Sequence, residues 1–333
     1  SQRGTHGSIG VTLDAPTSSG DTPQMTSKIA VVGAGYVGLT TGACLSHLGH
    51  DVVCVDVDEE KVAQLNEGHI PILEEGLGRF VVEGLHTDKL SFATDVARAI
   101  PGREFAFLCL PTPQAEDGSA DLSYVEQACT QITDHLDPGA VVINKATVPV
   151  GTTALVAAAL GRDDVHVVSN PEFLRQGTAV HDFLHPDRIV IGADDRGVAL
   201  RVASLYLDLA APWVVTDPAS AELIKYVANS FLATKLSFVN SVAAVSEAVG
   251  ADVEAVIQGV GHDRRIGHAF LQPGPGWGGS CLPKDTSALA HIAESAGYEF
   301  GLLRSAMEVN LAQFERVVDK VEDLVGDLQG RRL

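Results

Sequence analysis

Long apolar runs, paired cysteines and an excess of positive charge are all missing from this sequence, and each absence removes a class of function. No segment has the length and apolarity to span a bilayer, and the N-terminal stretch lacks the apolar core of a secretory signal. The five cysteines (Cys44, Cys54, Cys109, Cys129 and Cys281) are odd in number, widely spaced and without a Cys-x-x-Cys pair, which argues against a disulfide framework. Four lie in apolar segments and read as buried thiols, so a reducing, cytoplasmic setting fits best. No His or Cys cluster has metal-ligand spacing, and no metal is expected. With 23 Lys and Arg against 43 Asp and Glu, the net charge of −20 argues against nucleic acid or an anionic membrane as partner. An acidic ligand would need a local basic pocket, so each lysine or arginine inside a motif gains interest.

What is present is 333 residues, room for one large or two ordinary domains. Residues 1–24 are rich in Gly, Ser, Thr, Pro and Gln without periodicity and read as a disordered leader, with Met25 placed like a natural start. Order is expected from Lys28. There a short apolar strand runs into Gly33-Ala-Gly35-Tyr36-Val37-Gly38 and a helical stretch to Leu48, and a second strand ends at Asp56. This is the dinucleotide fingerprint in its required strand–turn–helix setting. Glycine lets the turn close and the pyrophosphate approach, while the helix N-terminus offers amide donors to the phosphates. Asp56, about 20 residues beyond Gly35, is placed to accept both hydroxyls of the adenosine ribose, which favours NAD over NADP.

Further strands are predicted at 105–110, 140–143, 165–168 and 188–191, with helices at 123–136, 152–160 and 197–207 between them. Such alternation implies an α/β architecture with a doubly wound, Rossmann-like parallel sheet over residues 25–216. Ligands bind such sheets beyond the strand C-termini. There the sequence places Pro111-Thr112-Pro113, Lys145-Ala-Thr147-Val-Pro-Val-Gly151 and Asn170-Pro-Glu172-Phe-Leu. From Asp217, a helix cap followed by Pro218, the pattern predicts an unbroken helix to about Val249. It opens an all-α domain over residues 217–333. That helix is apolar around most of its circumference and needs a second domain or a partner subunit to cover it. Lys225 and Asn229, four apart, share one of its faces and read as facing a site.

The stretch richest in chemistry is Gly274-Pro-Gly-Trp277-Gly278-Gly-Ser280-Cys281-Leu-Pro-Lys284-Asp285. A thiol among backbone donors and beside a lysine favours the nucleophilic thiolate, so Cys281 is the candidate nucleophile. Trp277, Ser280, Lys284 and Asp285 are read as side chains with chemistry around it. Helices are predicted over 285–296 and from about Leu302 onward.

Together these motifs resemble the UDP-glucose/GDP-mannose dehydrogenase family, over essentially Lys28 to Leu333. Phe270-Leu271-Gln272-Pro273-Gly274 reading into Gly278 is more similar to the UDP-glucose branch. The resemblance implies a four-electron, two-NAD oxidation of the sugar C6 to a carboxylate. Cys281 would be the nucleophile, Lys225 and Asn229 would stabilise oxyanions, and Glu172 with Thr147 would position or deprotonate water. Asp285 would orient Lys225 or share the base role. The resemblance also implies NAD contacts from Gly33, Gly35, Tyr36, Val37, Gly38, Asp56, Lys61, Thr112, Thr147, Gln176 and Lys284. Sugar-nucleotide contacts are implied for Glu172, Phe173, Leu174, Arg175, Lys225, Asn229 and the 270–274 run with Gly278, and for Arg265 reaching across a homodimer built on the long helix. The sequence departs from the pattern in having Gln176 where the family usually carries a second glutamate, and an amide cannot serve as a base at neutral pH. The family continues into a third, nucleotide-binding α/β domain, and this chain ends where that domain's first strand would start. By itself it is expected to lack part of the uridine surface. The alternatives are a dehydrogenase for another nucleotide sugar (a UDP-N-acetylhexosamine or GDP-mannose), a two-electron β-hydroxyacid or 6-phosphogluconate type enzyme, and a non-catalytic NAD-binding module.

Overall fold

The fold is described from a computed structural model over residues 11–13, 26–115, 119–326 and 330. The chain divides into two compact units. One holds the described residues up to Pro113 together with Ala120–Lys225; the other holds Gln114, Ala115 and Ser119 with the chain from Tyr226 onward.

The first unit is built on a nine-stranded sheet. In chain order its strands are β1 (Val11–Leu13), β2 (Lys28–Val32), β3 (Asp51–Val55), β4 (Leu90–Ala93), β5 (Phe105–Leu108), β6 (Val141–Asn144), β7 (His166–Ser169), β8 (Ile189–Gly192) and β9 (Trp213–Thr216). Across the sheet the order is β1-β9-β8-β7-β6-β5-β2-β3-β4. The six strands from β4 to β7 are parallel. β8 runs antiparallel to β7 through Ser169 and Gly192, β9 is parallel to β8, and β1 is antiparallel to β9. The strands read as unbroken apolar runs because both faces are covered. Ile29, Val31, Cys54 and Phe107 enter one core, while Ala30, Val32, Val53 and Leu108 enter the other. From β2 the chain winds outward through β3 to β4, then returns to β5 on the other side of β2. This reversal opens a crevice beyond the carboxyl ends of β2 and β5, the position where such sheets take ligands.

The expected strands and helices of this unit form within a residue or two, except that the 123–136 and 197–207 helices each end in a 3₁₀ turn. Three strands carry no strong sequence signal. β4 alternates buried Leu90 and Phe92 with an exposed Ser91, and β9 is only partly buried. β1 corrects the uniformly disordered leader, because Val11, Thr12 and Leu13 find the open edge of β9 opposite Val215, Val214 and Trp213. The rest of residues 1–24, and Met25, lie outside the described residues.

The helix Pro218–Val249 has the predicted bounds. Asp217 caps it, accepting from the Ser220 N–H at 2.8 Å and the Ser220 hydroxyl at 2.7 Å. It starts in the first unit and ends in the second. The second unit adds the helices Val253–Gly261, Leu282–Ser295 and Gly301–Val325, with a small core of Tyr226, Ala288, Leu289 and Leu303. Among the described residues no helix is long and apolar enough to cross a membrane, and no group of His, Cys, Asp and Glu could hold a metal ion.

Candidate active site

In the first unit, the turn after β2 is dictated by backbone crowding. Gly33 has φ +96°, and a Cβ there would lie 2.5 Å from the Cys109 carbonyl oxygen; a Cβ on Gly38 would lie 1.8 Å from the Gly33 oxygen. A Cβ on Gly35 would meet nothing within 4 Å, so the middle of the turn is open to a ligand. The helix Tyr36–His47 begins immediately after it with no acidic side chain in its first turn, leaving its amide donors for phosphate. Asp56 sits at the end of β3. It accepts from the Ala34 N–H at 2.9 Å, the Asp58 N–H at 3.1 Å and the Lys61 ammonium at 3.0 Å. Burial pushes its carboxyl up, but these donors, Lys61 foremost, outweigh that and hold it below the usual carboxylate range. An ionised carboxylate here fits a diol and repels a 2′-phosphate. Open glycine, free amide donors and a carboxylate together fit NAD.

The loops beyond β5, β6 and β7 are joined to one another. The Thr112 hydroxyl donates to the Thr147 carbonyl at 2.8 Å. Glu172 accepts from the Leu174 N–H at 2.6 Å and pairs with Lys225 at 3.0 Å, both side chains almost fully buried. A buried ion pair of this kind needs further contacts to offset its desolvation. The Leu174 amide supplies one, and the Phe173 ring, 5.3 Å from the Lys225 ammonium, another. Phe173 is also covered by the Arg188 guanidinium at 3.6 Å. Arg175 is engaged with Asp182 at 2.6 Å, and Gln176 is exposed.

In the second unit the glycine-rich loop is pinned by Trp277. Its indole N–H donates to the Ser237 hydroxyl at 2.9 Å, and its backbone exchanges hydrogen bonds with Asn310 at 2.7 and 2.8 Å. Trp277, expected to carry chemistry, is therefore an anchor: it is buried and its one polar group is used. Gly274 is fixed from both sides, by Asn240 at 2.8 Å and Gln313 at 2.7 Å. The loop delivers Cys281 to the N-cap of the helix Leu282–Ser295, exposed, with the Ser280 hydroxyl 3.6 Å from its sulfur. One turn on, Asp285 is only 1% exposed. It accepts from the Asn229 amide at 2.6 Å and pairs with the Lys284 ammonium at 3.0 Å. Asp285 thus holds Asn229, and Lys225 is paired with Glu172. The Lys284 charge, expected beside the thiol, is drawn to Asp285. Phe270 takes a left-handed φ of +59°, Leu271 is buried and Gln272 is exposed. Arg265 is exposed and forked onto Asp263 at 2.6 and 3.1 Å.

Two buried glutamates escaped the sequence reading, and a third buried charge, Lys145, was read only as part of a polar loop. Glu74 receives the Tyr36 hydroxyl at 2.6 Å and the Gly177 and Ala179 amides at 2.8 and 2.7 Å, tying the dinucleotide turn to the loop that carries Gln176. Burial and this carboxylate push the Tyr36 phenol well up. Glu222 receives the Gly151 and Thr153 amides and the Thr153 hydroxyl. Lys145, buried against Phe183 and Tyr206, donates to Asn170 at 3.2 Å, and burial lowers its ammonium to about 8. Single glutamates have no local pattern to betray them; the one available signal was a charged residue inside an apolar run.

Residues 27–210 match the NAD binding domain of the UDP-glucose/GDP-mannose dehydrogenase family, and residues 219–312 match its central domain. The UDP-glucose 6-dehydrogenase TuaD of Bacillus subtilis is 46% identical over 311 residues, covering 92% of this chain and 68% of that protein. The UDP-glucose 6-dehydrogenase of Rhizobium meliloti is 44% identical over 318 residues, with 92% and 72% covered. Among solved structures, a UDP-glucose dehydrogenase from Pyrobaculum islandicum superposes with a TM-score of 0.88 at 39% identity, over 94% of this chain and 74% of that one. A GDP-mannose dehydrogenase from Pseudomonas aeruginosa gives 0.68 at 33% identity, over 89% and 71%. With the dinucleotide turn, the ionised Asp56 and these matches in hand, the chain belongs to the UDP-glucose/GDP-mannose dehydrogenase family and is an NAD-dependent dehydrogenase acting on nucleotide sugars.

Proposed function

We propose that the protein oxidises the C6 hydroxymethyl group of UDP-glucose to the carboxylate of UDP-glucuronate, with two NAD⁺ as hydride acceptors and Cys281 as covalent nucleophile. The observation that carries this reading is the contrast among the five thiols. Burial pushes Cys44 and Cys109 up to about 12 and Cys129 up to about 11, and raises Cys54 as well. Cys281 alone is exposed, at the N-cap of the helix Leu282–Ser295.

NAD⁺, when bound, supplies a hydride sink twice. In the first oxidation the C6 hydroxyl gives its proton to a site base as its hydride leaves, producing an aldehyde. The Cys281 sulfur then adds to that carbonyl, forming a C–S bond and a thiohemiacetal. Loss of the second hydride and the hydroxyl proton leaves a thioester, and water cleaves the C–S bond to give carboxylate and free thiol. Lys225 and the Asp285-held Asn229 are the donors for the developing oxyanions. Glu172, already fixed by Leu174 and Lys225, is the carboxylate placed to handle water with Thr147, and Gln176 takes no proton.

Domain limits of 25–216 for NAD binding and 217–333 for the helical part remain our reading of how these roles are divided. A homodimer through the long helix fits its exposed Phe231, Phe238 and Val245, seven residues apart along one side. Phe231 and Phe238 line an apolar groove of about 510 Å³ that Arg265 also helps to line. In that dimer Arg265 would reach the neighbouring sugar. A cytoplasmic site of action fits five unpaired thiols.

The test is NADH yield and turnover in the full-length protein. Two NADH per UDP-glucose, with lower turnover on GDP-mannose and UDP-N-acetyl sugars, is the expected result. Cys281→Ser should cut four-electron turnover by about 100-fold or more while NAD⁺ binding persists. One NADH per sugar, or undiminished turnover of the variant, would remove the nucleophile.

A further inference from the structure

The helix Thr152–Leu160 starts at a residue with no side chain to cap it. Gly151 holds the N-cap position at φ +97°, and the first-turn amides need an acceptor from elsewhere. Glu222, in the opening turns of the Pro218–Val249 helix, provides it. One carboxylate oxygen accepts from the Gly151 N–H at 2.6 Å; the other accepts from the Thr153 N–H at 2.7 Å and the Thr153 hydroxyl at 2.6 Å. Glu222 is 2% exposed. Three donors and the positive end of the capped helix offset its charge, and burial still pushes its carboxyl above the usual range.

The position of this cap gives it meaning for the reaction. The capped turn ends the loop that carries Thr147, and the other end of that loop is held by the Thr112 hydroxyl on the Thr147 carbonyl. Three residues after Glu222 comes Lys225, whose ammonium is fixed on Glu172 at 3.0 Å. A glutamate whose two oxygens are spoken for by neighbouring backbone groups permits little rotation or sliding of its own helix. We propose that Glu222 is a positioning residue for the oxidation. It locks the Thr147 loop and Lys225 into one register and acts on the reaction through them, without touching the sugar. This rests on the reading of Lys225 and Thr147 as site residues.

Glu222→Gln tests it with almost no change of shape, because the new amide NH₂ faces N–H and O–H donors where an oxygen stood. In the full-length protein kcat on UDP-glucose should fall about tenfold or more, since sub-ångström misplacement of reacting groups is costly. The fraction of protein able to bind NAD⁺ at saturation should match the parent, because no Glu222 contact reaches the dinucleotide turn. Thr153→Ala, which deletes one donor of three, should lower kcat by a smaller factor. In a double-mutant cycle Glu222→Gln should cost less on top of Lys225→Ala than it does alone, because part of its effect runs through Lys225. Several results overturn the inference: parental kcat in both Glu222→Gln and Thr153→Ala, fully multiplicative effects in the cycle, or a loss that merely tracks the fraction of protein still binding NAD⁺. If Lys225→Ala and Cys281→Ser leave turnover intact, the proposed function itself falls; if they abolish it while Glu222→Gln does not matter, only this inference falls.

Discussion

Two glycine-rich turns, one in each unit, look alike as sequence and differ as structure. In Gly33–Gly38 the protein's own backbone occupies the space a side chain would need, at both Gly33 and Gly38. In Gly274–Gly279 only Gly276 is so confined, at φ +119° with the Phe314 ring 2.7 Å from a would-be Cβ, while Gly274 and Gly278 face open space. The first turn is glycine mainly because the chain packs on itself. In the second, Gly276 and Gly279 hold positive φ, while Gly274 and Gly278 are glycine where no neighbouring atom of the unit demands it. Gly35 belongs with Gly274 and Gly278 although it sits in the first turn.

The largest effect should come from Gly38→Ala. The new methyl carbon would be driven to 1.8 Å from the Gly33 oxygen, and the strand and helix must separate. Overpacking of this severity should cost roughly 3 kcal/mol or more, together with dinucleotide binding. Denaturant unfolding reads it, and a parental midpoint would show the turn to be slack. Gly276→Ala, pressed on a movable phenylalanine ring but held at positive φ, should cost about 1–3 kcal/mol on the same measurement. If both variants lost the same amount, the distinction between the turns would narrow to nothing.

Gly35→Ala and Gly278→Ala sharpen the comparison from the other side. Each should leave unfolding within about 0.5 kcal/mol of the parent, because its methyl meets no protein atom within 4 Å. Yet Gly35→Ala should weaken NAD⁺ binding, and Gly278→Ala should raise the KM for the sugar nucleotide. Calorimetric titration with each ligand separates them; a swap of the two phenotypes would refute the assignment.

The smallest effect is a pH dependence confined to the first unit. His50 is buried, accepting from the Ser27 N–H at 3.2 Å and meeting the Leu205 carbonyl at 3.1 Å. Burial lowers its pKa, and the Leu205 carbonyl only partly opposes this. Below the ordinary value near ~6.5 the unfolded chain takes up a proton that the folded chain resists. Stability is therefore fully present above that pH and falls as the pH drops through it toward the lowered native value. Melting curves between about pH 7 and 5 should show a shallower decline for His50→Gln than for the parent; an equal slope would clear His50 of the effect.

The sequence made the sheet legible where both of its faces are buried, because Lys28–Val32, Asp51–Val55 and Phe105–Leu108 are continuous apolar runs. It concealed β1 and β9 at the edge, where three or four residues suffice and partner supply decides pairing. The site divides the same way. Cys281, Asp56 and Lys225 stand in local patterns. Glu74 and Glu222 act on amides 69 to 105 residues away along the chain, and only the folded topology reveals them. Trp277 looked chemical because aromatic residues beside a thiol invite that reading; its two ends are in fact consumed by Ser237 and Asn310.

Four of the five sulfurs are sealed and one is open. An alkylating reagent applied to the native protein therefore has a single address, and the moles of label taken up per mole of chain become a headcount of accessible Cys281 thiols. Any preparation can then be calibrated before a rate is ever compared.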